Sequence, residues 1–454
     1  MQRGLGAARD NNALVPTAKE GLGGVEVGAA PAPEAAPAGD AEEALGDGFG
    51  GQPAPLNAVA FPLVVFLLGQ LFLFTGVGAL IPALPLYGKA LGLGDTVTGV
   101  VISAPALAML LLNYVAGRSA DAGRKPSIVS GLLGIAVADF VTATATTLPV
   151  IVVARLALGA GRAFAEAGER AFLTDLAAQV PGNRGRIVGM YQATIAVGFV
   201  IGPKLGGVLI ERYGPGAPFG AVALASGLAA VGYAFLLPET LVDAPSSTAQ
   251  AITSGSSPGS WRRLLRQPSQ RAIAAASVAN GVGRVAKVVA VPLFATDVIG
   301  ASPGQLGDLF SLWALVGLIA VTGSGYMTDK LKLSSADPAA GARLVVCASQ
   351  VASALGFVVA VRTHSLWAFG VSTGFWSLGF GAAAPALETY TQARAPPAAV
   401  AEALALPKSL GDLVFIVGPP AIGFAESTVH GGGLLISACV SLLASAVWWS
   451  STRA

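Results

Sequence analysis

Twelve apolar runs follow one another from about Phe61 to the end of the chain, and this serial repetition constrains the fold more than any other feature. Each is about 20 residues, the length a helix needs to cross a hydrocarbon core of roughly 30 Å. One such run would fit a buried helix of a soluble protein, but a dozen in series would not. The charge count agrees. Only 11% of the 454 residues are Asp, Glu, Lys or Arg, where a soluble domain carries about 25%. So few charges do not clothe a water-exposed surface of this size. The expected class is all-α integral membrane, with twelve transmembrane helices.

The expected spans are 58–86, 96–116, 126–147, 149–171, 186–210, 217–237, 271–295, 303–326, 342–361, 364–386, 398–423 and 432–449. Residues 1–57 read as a disordered tail rich in Ala, Gly and Pro, with Phe49 as its one aromatic residue. An organelle-targeting segment is the sharper alternative. Against it, this leader lacks serine and has more acids than bases, the reverse of a transit peptide. Residues 58–240 and 271–450 each hold six spans, separated by a polar linker, 241–270, with 451–454 left as a short C-terminal tail.

Lys and Arg alternate between loops. One side carries Arg118, Arg124, Lys125, Arg184, Arg186, Arg262, Arg263, Arg266, Lys330, Lys332, Arg343 and Arg394, and the other little beyond Lys89, Arg212 and Arg362. By the positive-inside rule, both termini and the linker are expected in the cytoplasm. A net charge of +2 points to no nucleic-acid partner. Cys347 and Cys439 fall in apolar runs, and His364 and His430 sit in loops without metal-ligand spacing, so neither a metal nor a cofactor is expected.

Five motifs add detail. After the second span comes Gly117-Arg118-Ser119-Ala120-Asp121-Ala122-Gly123-Arg124-Lys125, with a weaker copy, Gly325-Tyr326-Met327-Thr328-Asp329-Lys330, after the eighth. Span 4 contains Arg155-Leu156-Ala157-Leu158-Gly159-Ala160-Gly161. Span 5 contains Gly198-Phe199-Val200-Ile201-Gly202-Pro203-Lys204-Leu205-Gly206-Gly207. Span 1 has Gly76 followed by Pro82-Ala83-Leu84-Pro85, and span 6 ends in Pro238-Glu239-Thr240. Together these resemble the major facilitator superfamily, most closely its twelve-span drug–proton antiporters.

The resemblance implies two six-helix bundles that rock about a midplane site. It implies a gating role for Gly117, Asp121, Gly123, Arg124 and Lys125, with Asp175 as acidic partner, and for Gly325, Asp329 and Lys330 in the second half. The first motif has one residue, Ala122, where the family usually has two, one of them basic. Gly117 is expected to allow a sharp turn and a close approach. Arg155 matches an arginine associated with proton coupling. Gly198, Gly202, Pro203, Gly206 and Gly207 match the antiporter motif, and Gly76, Pro82 and Pro85 the helix 1 motif. The expected partners are a small-molecule substrate, protons and membrane lipid, with the chain acting as a monomer.

Charges inside spans are functional candidates by default. The first half offers Asp139, Arg155, Arg162, Glu166 and Lys204, the second Arg284, Lys287, Asp308, Lys408 and Asp412. Arg162 with Glu166 and Lys408 with Asp412 stand at i,i+4, and Arg284 with Lys287 at i,i+3. Desolvation favours a protonated carboxyl, which makes Glu166 the first and Asp139 the second candidate for proton coupling. Glu169 and Arg170 read as a solvated or gating face. Span 1 has no acid and deep bases outnumber deep acids, so an anionic or polar neutral solute is expected. Uniport and a non-transporting receptor or scaffold are the alternatives. An intramembrane protease is not, because Gly92-Leu93-Gly94-Asp95 falls in a loop without a second acid at depth.

Overall fold

The computed structural model describes residues 56–241, 260–333, 339–396 and 399–453. Residues 1–55 of the expected tail 1–57 and residues 242–259 of the linker 241–270 therefore lie outside the described residues, while Leu56 and Asn57 already belong to the first helix.

Long apolar runs without charge fold as helices here because hydrocarbon leaves every backbone N–H and C=O to be satisfied within the segment. The first half contains α1 (Leu56–Ala90), α2 (Asp95–Ala122), α3 (Arg124–Thr144), α4 (Leu148–Gln179), α5 (Arg184–Tyr213) and α6 (Ala217–Leu236). A short helix α7 (Ser260–Leu264) precedes the second half. There α8 (Pro268–Val288) and α9 (Ala290–Asp297) make up the seventh span, interrupted at Val289. The rest are α10 (Pro303–Leu333), α11 (Ala340–Val361), α12 (Leu366–Arg394), α13 (Val400–Thr428) and α14 (Gly432–Arg453). The described residues contain no strand. The helix α14 runs on to Arg453, through most of the stretch expected as a C-terminal tail.

Eleven of these spans are long and apolar enough to cross a bilayer by composition. The twelfth, α12, has 29 residues, enough for about 43 Å of helix. Its Gly, Ser and Thr content lowers its hydropathy and lets it pack closely on its neighbours. A Cβ at Gly379 would stand 2.5 Å from the Ser349 carbonyl of α11, and one at Gly381 2.5 Å from the Gly317 carbonyl of α10. Large apolar side chains such as Leu111, Val153, Phe235, Trp367 and Leu443 are exposed on the outer surface. That is a surface built for lipid: the chain is an integral multi-pass membrane protein.

The helices pack as two six-helix bundles. In the first, α3 and α4 pair, α2 packs on α4, and α1 lies between α5 and α6. The second repeats the pattern, with α11 against α12, α10 against α12, and α8 between α13 and α14. Two cross-pairs make most of the contact between the bundles, α5 with α10 and α2 with α13, and α1 also touches α8, α9 and α10. Each bundle has an aromatic core. Phe66 lies near Phe172, Tyr191 and Tyr233 in the first, and Trp313, Phe310, Phe369, Phe357 and Trp376 cluster in the second.

Candidate functional site

Helix α5 is a seam between three layers, and its glycines explain how. A Cβ at Gly202 would stand 2.3 Å from the Thr75 carbonyl oxygen, and one at Gly206 2.3 Å from that of Ala79, both on α1. One position on, a Cβ at Gly207 would stand 2.5 Å from the Pro303 carbonyl oxygen of α10, in the other bundle. Gly307 of α10 returns the contact, 2.5 Å from the Pro203 carbonyl. Gly198 meets Phe74 and Thr75, and Gly76 of α1 faces Val222 of α6. Pro203 lies within α5, and Pro82 and Pro85 within the second half of α1.

Polar contacts between the bundles gather at the end where α1 turns into α2. Gly92 makes that turn with φ of 70°, a left-handed conformation that glycine adopts without strain. This accounts for Gly92-Leu93-Gly94-Asp95 as a turn. Lys89 pairs with Asp297 and lies 3.4 Å from Thr296. Lys204 pairs with Asp308 at 2.5 Å, and Glu211 accepts hydrogen bonds from Ser302 at 2.7 Å and from the Gly304 amide at 2.8 Å. Close approach of Gly99 to Pro419 and of Gly423 to Asp95 seals α2 against α13.

The network at the opposite end stays within the first bundle. Arg124 joins Asp175 at 3.0 Å and Asp121 at 3.1 Å, and its Nη1 donates to the Ala120 carbonyl at 2.7 Å. Glu239 accepts from the amides of Arg124 and Lys125, each at 3.1 Å, capping α3, while Thr240 donates to Asp175 at 3.0 Å. Gly123 separates α2 from α3. Gly117 does not make the expected turn. It sits inside α2, and a Cβ there would meet nothing within 4 Å. Gly325 is likewise in open space within α10, and Lys330 is exposed. The Asp329 side chain lies outside the described residues.

The charged face of α4 is set by helical phase. An apolar groove of about 890 Å³ on the outer side of α3 and α4 is lined by Val150, Val153, Ala157, Ala160 and Phe164. Positions two residues on from Val153, Ala160 and Phe164 are Arg155, Arg162 and Glu166, and two residues turn a helix by about 200°. The charges therefore point away from lipid. Arg155 and Asp139 form a buried ion pair, with Arg155 also bonded to Thr142 at 3.0 Å and lying 5.1 Å from the Phe219 ring centre. Glu166 does not close on Arg162 as its spacing allowed. Its carboxylate pairs with Arg170, because an acid placed four residues before a base is the better-oriented pair on a helix.

Glu169 overturns the expectation of a solvated face. It is 4% exposed, because α1, α5 and α6 close over that side of α4 with Gln70, Tyr191 and Tyr233. Sequence reasoning missed it: adjacent to Arg170 near a helix end, it looked like part of a surface pair.

In the second bundle, Lys408 pairs with Asp412 at 2.8 Å. Arg284 and Lys287 diverge, as like charges do. The Arg284 guanidinium lies against Gly411 of α13. The Lys287 ammonium lies 5.7 Å from the Phe310 ring centre and 6.0 Å from that of Trp376. Among the described residues none of Arg162, Arg284 and Lys287 is in an ion pair, and no group of His, Cys, Asp and Glu is placed to hold a metal ion.

A family model described as Major Facilitator Superfamily matches residues 66–419. The chain belongs to the major facilitator superfamily. Its relatives include Multidrug resistance protein 1 of Bacillus subtilis (strain 168), 35% identical over 150 residues that cover 33% of this chain and 38% of the relative. Quinolone resistance protein NorA of Staphylococcus aureus is 29% identical over the same shares. The chain thus spans well under half the length of these relatives, and it stands near the drug–proton antiporter group. Among solved structures, a bacterial homolog of the human lysosomal transporter Spinster, inward-facing and unoccupied, superposes with a TM-score of 0.71 at 14% identity. That match covers 87% of this chain and 97% of the other. Nucleoside transporter NupG gives 0.68 at 13% identity, covering 87% and 99%. Both share the superfamily fold with this chain.

Proposed function

We propose that the chain is a proton-coupled antiporter for organic anions or polar neutral solutes, working by rocking of 58–240 against 271–450. The observation that carries the substrate class is Lys287. A lysine at the α8–α9 interruption has no carboxylate partner among the described residues and sits beside two aromatic rings, with Arg284 one turn earlier. An unpaired cation is costly in a span unless something anionic visits it. Interrupted helices are also where transporters of this kind build midplane sites. Coupling falls to the carboxyls of α4, with Glu166 bound to Arg170 as an exposed, breakable pair. Asp139 and Arg155 neutralise each other and serve the packing of the first bundle.

The clustering of bundle contacts at the α1–α2 turn, with basic loops at the other end, supports a conformation open to the cytoplasm and cytoplasmic termini. One chain supplies both halves of the site, which supports a monomer. The test is reconstitution into liposomes loaded with a pH-sensitive dye, challenged with organic anions, sugars, amines and lipophilic cations. Proton movement triggered by the anions, and lost in Lys287→Met, is the expected result. A response to lipophilic cations alone would overturn the substrate class, and solute entry without proton movement would make the protein a uniporter.

A further inference from the structure

Four helices of the first bundle enclose one carboxyl that has no cation of its own. Glu169 comes from α4, fully buried Gln70 from α1, Tyr191 from α5 and buried Tyr233 from α6. The Gln70 side chain lies beside the Glu169 carboxyl and donates to Tyr233 Oη at 3.4 Å. Tyr233 in turn donates to the Phe66 carbonyl at 2.6 Å, so its one proton is already used. Phe66, Phe172 and the two tyrosine rings shield the enclosure from water.

The hydrogen bonding of this enclosure is short of a donor. Glu169 Oε1 and Gln70 Oε1 are both buried acceptors without a partner. The charged and titratable groups facing Glu169 are Arg162, Glu166 and Arg170 of its own helix, Tyr191 of α5 and Tyr233 of α6. Arg170 is held by Glu166, and α1 brings only the neutral Gln70. The α3 side of this stretch is filled by Ile128 and the Arg124 backbone, which meet Gly168, while the Arg124 guanidinium is held by Asp175 and Asp121. Arg162, two turns earlier on α4, faces Glu169 but forms no ion pair with it, so an ionised carboxylate here has lost its water without gaining a bonded counter-charge, an unfavourable state. A neutral carboxyl supplies an O–H donor that the enclosure lacks.

We propose that Glu169 is a proton-binding site, loaded in this conformation and emptied when water reaches the enclosure between the ends of α1, α4, α5 and α6 that hold Gln70, Tyr191 and Tyr233, the Gly206–Ala79 contact further along α5 and α1 staying closed. The reaction is simple: the carboxylate takes a proton from water on loading and returns it to water on release, with no other group consumed. This site deepens the coupling proposed above. It rests on that reading for its role in transport but not for the bound proton itself. Glu166, one turn earlier and paired with Arg170, is the group that reports opening of the enclosure.

Infrared spectroscopy of the full chain in lipid bilayers tests it. The expected result at neutral pH is a protonated-carboxyl C=O band that shifts in D₂O, is lost in Glu169→Gln and is retained in Glu166→Gln. Gln70→Leu, which leaves the acid in place, is expected to shift that band without removing it. The same proteins in dye-loaded liposomes are expected to show solute-driven proton flux lost in Glu169→Gln while solute exchange continues. Absence of the band from the wild type, its survival in Glu169→Gln, or undiminished proton flux in that variant would overturn the proposal. A wild-type band with no solute-driven proton flux would leave the site standing and sink the antiport reading instead.

Discussion

Gly206 and Gly207 are neighbours on α5, yet a methyl group added to each is expected to do different things. At Gly207 the new Cβ would stand 2.5 Å from the Pro303 carbonyl oxygen and 3.0 Å from the Gly304 Cα, both on α10 in the other bundle. An ordinary C···O contact is about 3.3–3.6 Å, so α5 and α10 must separate by roughly 0.8–1.1 Å. The obstacle is backbone and has no rotamer to turn away. Overpacking of this kind costs about 1–3 kcal/mol. Because the strain exists only while the bundles touch at this end, it shifts the equilibrium between conformations by about 5–150-fold toward the one in which they part. At Gly206 the Cβ would stand 2.3 Å from the Ala79 carbonyl of α1, inside the first bundle. There the same strain is present in both conformations and lowers stability instead. The assay is spin-label distance measurement between Tyr213 and Gln305, at facing ends of α5 and α10, in a background with Cys347 and Cys439 replaced. Gly207→Ala is expected to populate longer distances with little change in thermal midpoint, and Gly206→Ala to lower the midpoint without moving the distances. Identical behaviour of the two variants, or a distance shift in Gly206→Ala alone, would refute the assignment of the two faces.

Other expectations follow from the same geometry. Asp139→Asn or Arg155→Met alone strands a buried charge and is expected to cost about 3–5 kcal/mol, while the double change regains most of it; thermal unfolding in detergent measures both. Lys204 and Asp308 are each more than half exposed, at 52% and 57%. Lys204→Ala is therefore expected to weaken contact between the bundles by less than about 1 kcal/mol, an effect that fades at high salt. The spin-label distances measured across a salt series check it. Lys287→Met is expected to abolish anion-triggered proton movement, and Glu169→Gln to remove the proton-carrying carboxyl, in the assays described above.

The class of this protein was legible from one-dimensional facts. Span length, the scarcity of charge and the alternation of basic loops depend on the bilayer, which acts on each segment separately. The twelve spans therefore lie close to where hydropathy places them, and α12 shows the limit. Its Gly, Ser and Thr residues keep it from standing out by hydropathy, because it gains its place by close packing rather than by transfer to lipid. Local spacing also anticipated the Lys408–Asp412 pair, for which four residues on one helix suffice.

What the tertiary structure decided was which charges meet across helices. Asp139 and Arg155 lie on different helices, so no spacing within a helix reports their pairing. Glu166 had bases four residues to either side, and the pairing with Arg170 emerged only with side chains in place. Glu169 was the least legible of all. Its sequence neighbours are charged, as on a solvated surface, and its burial comes from Gln70, Tyr191 and Tyr233, which lie on three other helices. Sequence determines what a helix can dissolve in. Only the packing of one helix against three others determines whether a single carboxyl on it still touches water.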